Sequence, residues 1–104
     1  MGIAGKTFTM QGFGNVGYWA AKFIEQDGGM ITHIVERDCA ISKADGFDVE
    51  HVKEYLIKNN SLRGYPDAEE TEINDPLSFM ERPVDYLIPA ATEKSIHKLN
   101  APNL

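Results

Sequence analysis

The sequence predicts an α/β fold, an open and mostly parallel sheet with helices on both faces, incomplete at one edge. Three observations predict it. A glycine-rich turn, Gly12-Phe13-Gly14-Asn15-Val16-Gly17, joins a strand-like run to a helix-like run. A second apolar run ends in an acid, Glu36, 19 positions after Gly17. Strand and helix patterns then alternate to the end of the chain, the signature of crossover units and a parallel sheet.

The first strand is expected at about residues 7–11, within Lys6-Thr-Phe-Thr-Met-Gln11. A helix follows over about residues 15–27, ended by Gly28-Gly29. Helical spacing puts Val16, Trp19, Ala20, Phe23 and Ile24 on one face, which predicts that this face packs on the sheet. The second strand is expected at residues 30–36, with a short extension of the sheet at 40–42. Asp48 predicts the cap of a second helix, about 49–58, with Val52, Tyr55 and Leu56 inward. Residues 59–67 are a loop broken by Gly64 and Pro66. Residues 69–74 are acidic and weakly strand-like, and Glu69, Glu70 and Glu72 are expected on a solvated face. Asp75-Pro76 opens a helical turn through about residue 80. Residues 85–88 predict a buried strand, and 93–99 a short helix or turn.

The turn matches G-x-G-x-x-G, set between strand and helix as a dinucleotide site requires. Gly12 permits a sharp bend. Gly14 lets backbone approach a pyrophosphate, and Gly17 lets the helix lie close on the strand. The phosphates would sit at the helix N-terminus, where free N–H groups and the helix dipole favour negative charge. Glu36 falls at the spacing of a carboxylate that accepts hydrogen bonds from a ribose diol and repels a 2′-phosphate, which favours NAD. Arg37 beside it can bind a 2′-phosphate, so NADP stays open. Asp38 is a second candidate for the ribose role, balanced against a solvated turn residue. The expected fold is Rossmann-like on these grounds.

These residues resemble one family closely. The run from Gly5 to Gly17 is similar to the start of the cofactor domain of glutamate dehydrogenases. Asp85-Tyr-Leu-Ile-Pro-Ala-Ala-Thr-Glu-Lys94, then Leu99-Asn-Ala-Pro102, resembles a later segment of that domain. Between them, Asp45-Gly-Phe-Asp48 and Gly64-Tyr-Pro66 match in order. The resemblance covers nearly the whole chain and looks most like the hexameric glutamate, leucine, phenylalanine and valine dehydrogenases, some of them mitochondrial. It implies that Gly12, Phe13, Gly14, Asn15, Val16 and Gly17 hold the pyrophosphate and Glu36 the adenosine ribose. It also implies that Ala90 and Ala91 line the wall beside the nicotinamide; a small-residue turn is the other reading of that pair. The chain departs from the family at Val35 and Cys39, where glycines are usual, and side chains there are expected to crowd the adenosine or strain the turn.

The family's reaction resembles hydride transfer between glutamate and a nicotinamide, and its lysine and carboxylate belong to a separate substrate domain. No part of this chain resembles that domain. Residues 1–104 are therefore expected to be a partial dinucleotide-binding domain without catalytic residues, completed by remaining dehydrogenase segments. The alternative is a non-catalytic, dehydrogenase-derived interaction subunit of a larger assembly. The chain's start suits an internal domain cut or a processed product.

Composition sets the outer bounds. One small domain fits in 104 residues, and 42% hydrophobic with 25% charged residues permits a core. A net charge of −6 argues against a nucleic-acid partner, and no apolar run is long enough to span a membrane. The single cysteine, Cys39, forms no internal disulfide and fits a soluble protein of a reducing compartment, mitochondrial matrix or cytoplasm. His33, His51 and His97 lack metal-site spacing, and Ser42, Ser61, Ser78 and Ser95 lack a nucleophile elbow. His33 is read as strand packing, His51 and His97 as helix surface.

Overall fold

The computed structural model describes residues 3–89. Five strands and two helices follow in the order β1 (Thr7–Gln11), α1 (Asn15–Gln26), β2 (Met30–Val35), β3 (Ala40–Ser42), α2 (Val49–Asn59), β4 (Glu70–Glu72) and β5 (Tyr86–Pro89), with a 3-10 helix at Pro76–Glu81 before β5. The strands form one sheet in the order β4-β3-β2-β1-β5.

β1 lies at the centre and pairs in parallel with β2 on one side and β5 on the other. β2 with β3, and β3 with β4, are antiparallel. The sheet is thus mixed rather than mostly parallel. Connection length explains the antiparallel pairing of β2 with β3. The Glu36 amide donates to the Cys39 carbonyl at 2.8 Å, leaving only Arg37 and Asp38 at the tip of a hairpin. A parallel return needs a dozen or more residues.

α1 and α2 pack on one face. Phe8, Met10, Ile31, Ile34 and Ile41 of the sheet meet Ala21 and Ile24 of α1 and Val49 and Val52 of α2. The opposite face carries a smaller cluster, Val35 and Ala40 under Phe79 of the 3-10 helix. β5, expected to be buried, is mostly exposed, because among the described residues it has a strand neighbour on one side only.

Each boundary has a local cause. Gly28, at φ +92, turns the chain out of α1, and the Gly29 amide donates to the Ile24 carbonyl. Asp48 caps α2 by accepting from the His51 amide at 3.2 Å. Asn60 ends α2 in the left-handed region at φ 58. Val52 is fully buried, whereas Tyr55 and Leu56 are only partly so.

One expectation about α1 is overturned. Its buried row is Gly17, Ala21 and Ile24. Val16, Trp19 and Phe23 are exposed, the last two by about two-thirds of their surface (65% and 64%). Small residues let the helix settle close on the strands, and that rotates the bulky row off the sheet. The acidic run is likewise not merely solvated. The Glu69 carboxylate accepts from the Ala44 amide, Glu70 pairs with Arg82 at 2.7 Å, and Glu72 accepts from the amides of Asn74 and Asp75. The expected helix or turn at 93–99 lies outside the described residues.

Candidate functional site

The glycine turn sits at the carboxyl end of β1. Gly12 has φ +96, a conformation side chains rarely adopt, and its amide donates to the Val35 carbonyl at 2.8 Å. Phe13 is buried and meets the Tyr18 ring edge-on. Gly14 is the N-cap of α1. It offers no side-chain cap, and no acidic residue stands in the first turn. A Cβ added to Gly14 would meet nothing within 4 Å, so the backbone there borders open space. Asn15 and Val16 are exposed, while Gly17 is buried against the sheet. The arrangement leaves an uncapped, partly positive helix end facing an open approach, as anion binding requires.

Glu36 follows directly on β2 and comes beside this turn. The Phe13 amide hydrogen-bonds its carboxylate. Burial nevertheless dominates and raises the Glu36 pKa above the ordinary glutamate value. Among the described residues, two buried side-chain oxygens lack a partner, Thr9 Oγ1 and Glu36 Oε2. A buried carboxylate oxygen left without a donor is costly, unless a hydroxyl comes to it. The turn thus combines open space at the Gly14 backbone with a buried acceptor at Glu36 that no donor among the described residues meets.

Arg37 and Asp38 are exposed at the hairpin tip. The Ser61 hydroxyl donates to Asp38 Oδ2 at 2.5 Å and accepts from the Arg63 amide at 3.0 Å. This tether ties the tip to the loop after α2. Nothing in the sequence pattern pointed to it, because the partners stand 23 residues apart. Val35 and Cys39 do not crowd the turn. Val35 points to the opposite face with Ala40 and Phe79, and Cys39 is sealed in the main core. Neither has positive φ. Burial pushes the Cys39 thiol up to about 11, well away from a reactive thiolate.

Ala90 and Ala91 lie outside the described residues. Pro89 just before them pairs with Gln11, so β5 delivers the chain to the sheet end that carries the turn. His33 is half-buried with its ring edge-on to Phe79, and its pKa is lowered, chiefly by burial. His51 Nδ1 lies 2.6 Å from the Tyr65 hydroxyl on the surface of α2, and His97 lies outside the described residues. Among the described residues no group of three His, Cys, Asp or Glu side chains could hold a metal, and no helix is long and apolar enough to cross a membrane.

Comparison with known proteins gives a consistent picture. Residues 1–104 match the model of the Glutamate/Leucine/Phenylalanine/Valine dehydrogenase family. The chain is 44% identical over 96 residues to the mitochondrial glutamate dehydrogenase of Dictyostelium discoideum, covering 92% of this chain and 19% of that protein. It is 39% identical over 100 residues to a probable glutamate dehydrogenase of Sinorhizobium fredii, covering 95% of this chain and 22% of that protein. The chain thus spans about a fifth of the length of the curated relatives it matches.

Proposed function

The chain belongs to the glutamate/leucine/phenylalanine/valine dehydrogenase family, and from that premise we propose that it forms the nicotinamide dinucleotide-binding part of a glutamate dehydrogenase. The observation that carries this reading is the partnerless buried Glu36 Oε2 beside the glycine turn. In this reading the amides of Gly14, Asn15, Val16 and Gly17 hold the diphosphate, with Gly12 and Phe13 fixing the turn. Glu36 accepts hydrogen bonds from the adenosine ribose, and Ala90 and Ala91 border the nicotinamide half.

The cofactor, when bound, exchanges a hydride with the substrate in the oxidative deamination of glutamate to 2-oxoglutarate. This chain's part is to grip and orient. Its residues supply no acid, base or nucleophile to that step, and catalysis needs the remaining dehydrogenase segments. The Glu36 carboxylate favours NAD, because a 2′-phosphate there would meet like charge. Arg37 at the exposed tip is the residue through which NADP could be accommodated. The compartment in this reading is reducing, the mitochondrial matrix or the cytoplasm.

Calorimetric titration with NAD and with NADP tests the reading. NAD should bind, and Gly14→Val should remove the binding by filling the open space. Equal heats for the two proteins would refute the site. A second reading, a non-catalytic interaction subunit, is favoured by one observation: the exposed row Val16, Trp19 and Phe23 beside the same turn.

A further inference from the structure

The loop that follows α2 is pinned at several points. Asn60 turns the chain at φ 58, and Leu62 is sealed in the main core with Cys39. The Leu62 amide donates to the Cys39 sulfur, and the Leu62 carbonyl accepts from the Tyr65 amide at 3.1 Å. The Tyr55 hydroxyl donates to the Arg63 carbonyl at 2.9 Å. Ser61 is therefore a half-buried hydroxyl on fixed backbone. Its oxygen accepts from the Arg63 amide, and its proton goes to Asp38. Each bond in such a chain polarises the next. The pairs 38–61 and 39–62 thus form two successive rungs between the β2–β3 hairpin and this loop, one exposed and one buried.

Asp38 gains a hydrogen bond from Ser61 but no opposite charge, because the donor is neutral. No ion pair among the described residues involves Arg37 or Asp38. Residues 36–38 therefore present two carboxylates to one guanidinium. The Glu36 carboxyl senses the second acid. Burial raises its pKa most; of the two neighbouring charges, Asp38 raises it more than Arg37 lowers it. At Glu36 the hairpin tip thus acts as a net negative charge.

Taking the glycine turn as a dinucleotide site, we infer that Ser61 is a positioning residue for cofactor choice: it holds Asp38 beside Glu36 as a second acid, which turns away a dinucleotide carrying a 2′-phosphate. Ser61 touches neither nucleotide nor substrate and acts through Asp38 alone. Without the hydroxyl, the Asp38 side chain turns out into solvent, where salt screens its charge.

Calorimetric titration of the full-length protein with NAD and with NADP gives two dissociation constants, and their ratio is the readout. A variant that merely loosens the fold weakens both nucleotides alike and leaves the ratio unmoved. The parent should prefer NAD. Asp38→Asn should narrow that preference roughly tenfold, and Ser61→Ala roughly threefold, the smaller change because the carboxylate stays on the chain. Ser61→Thr keeps the hydroxyl and should restore the parent ratio. Ser61→Ala added to Asp38→Asn should shift the ratio no further, since the hydroxyl works through the carboxylate. Three results would overturn the inference while leaving the dinucleotide site standing: a parent that binds NADP as tightly as NAD; an unmoved ratio in Ser61→Ala; or a shift by Ser61→Ala as large in the Asp38→Asn background as alone. A parent that binds neither nucleotide removes the site itself, and the role of Ser61 with it.

Discussion

The Gly12 amide donates to the Val35 carbonyl at 2.8 Å, and this bond ties the first glycine of the turn to the residue before Glu36. The two halves of the candidate nucleotide site are thus fixed to each other through backbone. Gly12 contributes its φ of +96 and Val35 its carbonyl. The side chain at 35 is free to serve the opposite face of the sheet, where it packs under Phe79.

Gly12→Ala is expected to cost about 1–2 kcal/mol, because a Cβ strains this left-handed conformation. Chemical denaturation of the two proteins measures it. An unchanged midpoint would mean that the turn relaxes without loss.

Glu36→Gln is expected to act in opposite directions on stability and binding. Burial raises the Glu36 pKa above its unfolded value, so the native state holds its proton more tightly. The sign follows from linkage: as pH rises from the unfolded glutamate pKa through the folded one, ionisation destabilises the fold. At pH 7 the neutral glutamine should therefore raise the melting temperature, and the gain should vanish at pH 3. NAD affinity should fall about tenfold, the equivalent of one charge-assisted hydrogen bond. Calorimetric melts at both pH values, with NAD titrations, separate the two effects.

Asp85 should give the opposite pH dependence. Hydrogen bonds from the Thr7 amide (2.8 Å) and hydroxyl (3.2 Å) hold its carboxyl below the ordinary aspartate value. Its contribution is full above the unfolded aspartate pKa and is lost as pH falls through the folded one. Asp85→Asn should melt lower than the parent at pH 7 and together with it at pH 2. A constant difference across that range would exclude the carboxylate as the cause.

Asp48→Ala is expected to lower stability by about 1 kcal/mol, the usual effect of deleting an N-cap acceptor. Asp48→Asn should recover most of it. Equilibrium urea unfolding of the three proteins decides the point, and loss in the asparagine variant would locate the effect in charge instead of capping.

Much of this architecture was legible from residue order alone. The strand Lys6–Gln11, the glycine turn and the α1 pattern made the first crossover readable, and Asp48 announced α2. Strand direction was less readable. β3 and β4 have three residues each, too few for composition to separate a hairpin from a crossover. The facing of α1 misled for a physical reason. Periodicity selects the most apolar row, Val16, Trp19 and Phe23, whereas close packing selects the smallest one, Gly17 and Ala21. At the site, the glycines and Glu36 were recognisable from spacing. The Ser61–Asp38 tether was not, because only folding brings those two positions together.

The sealed position of Cys39 has a practical corollary. A thiol reagent can reach this sole sulfhydryl only when the domain opens. The labelling rate in native buffer therefore counts opening events, and a nucleotide that binds only the closed form should slow it in proportion to its occupancy.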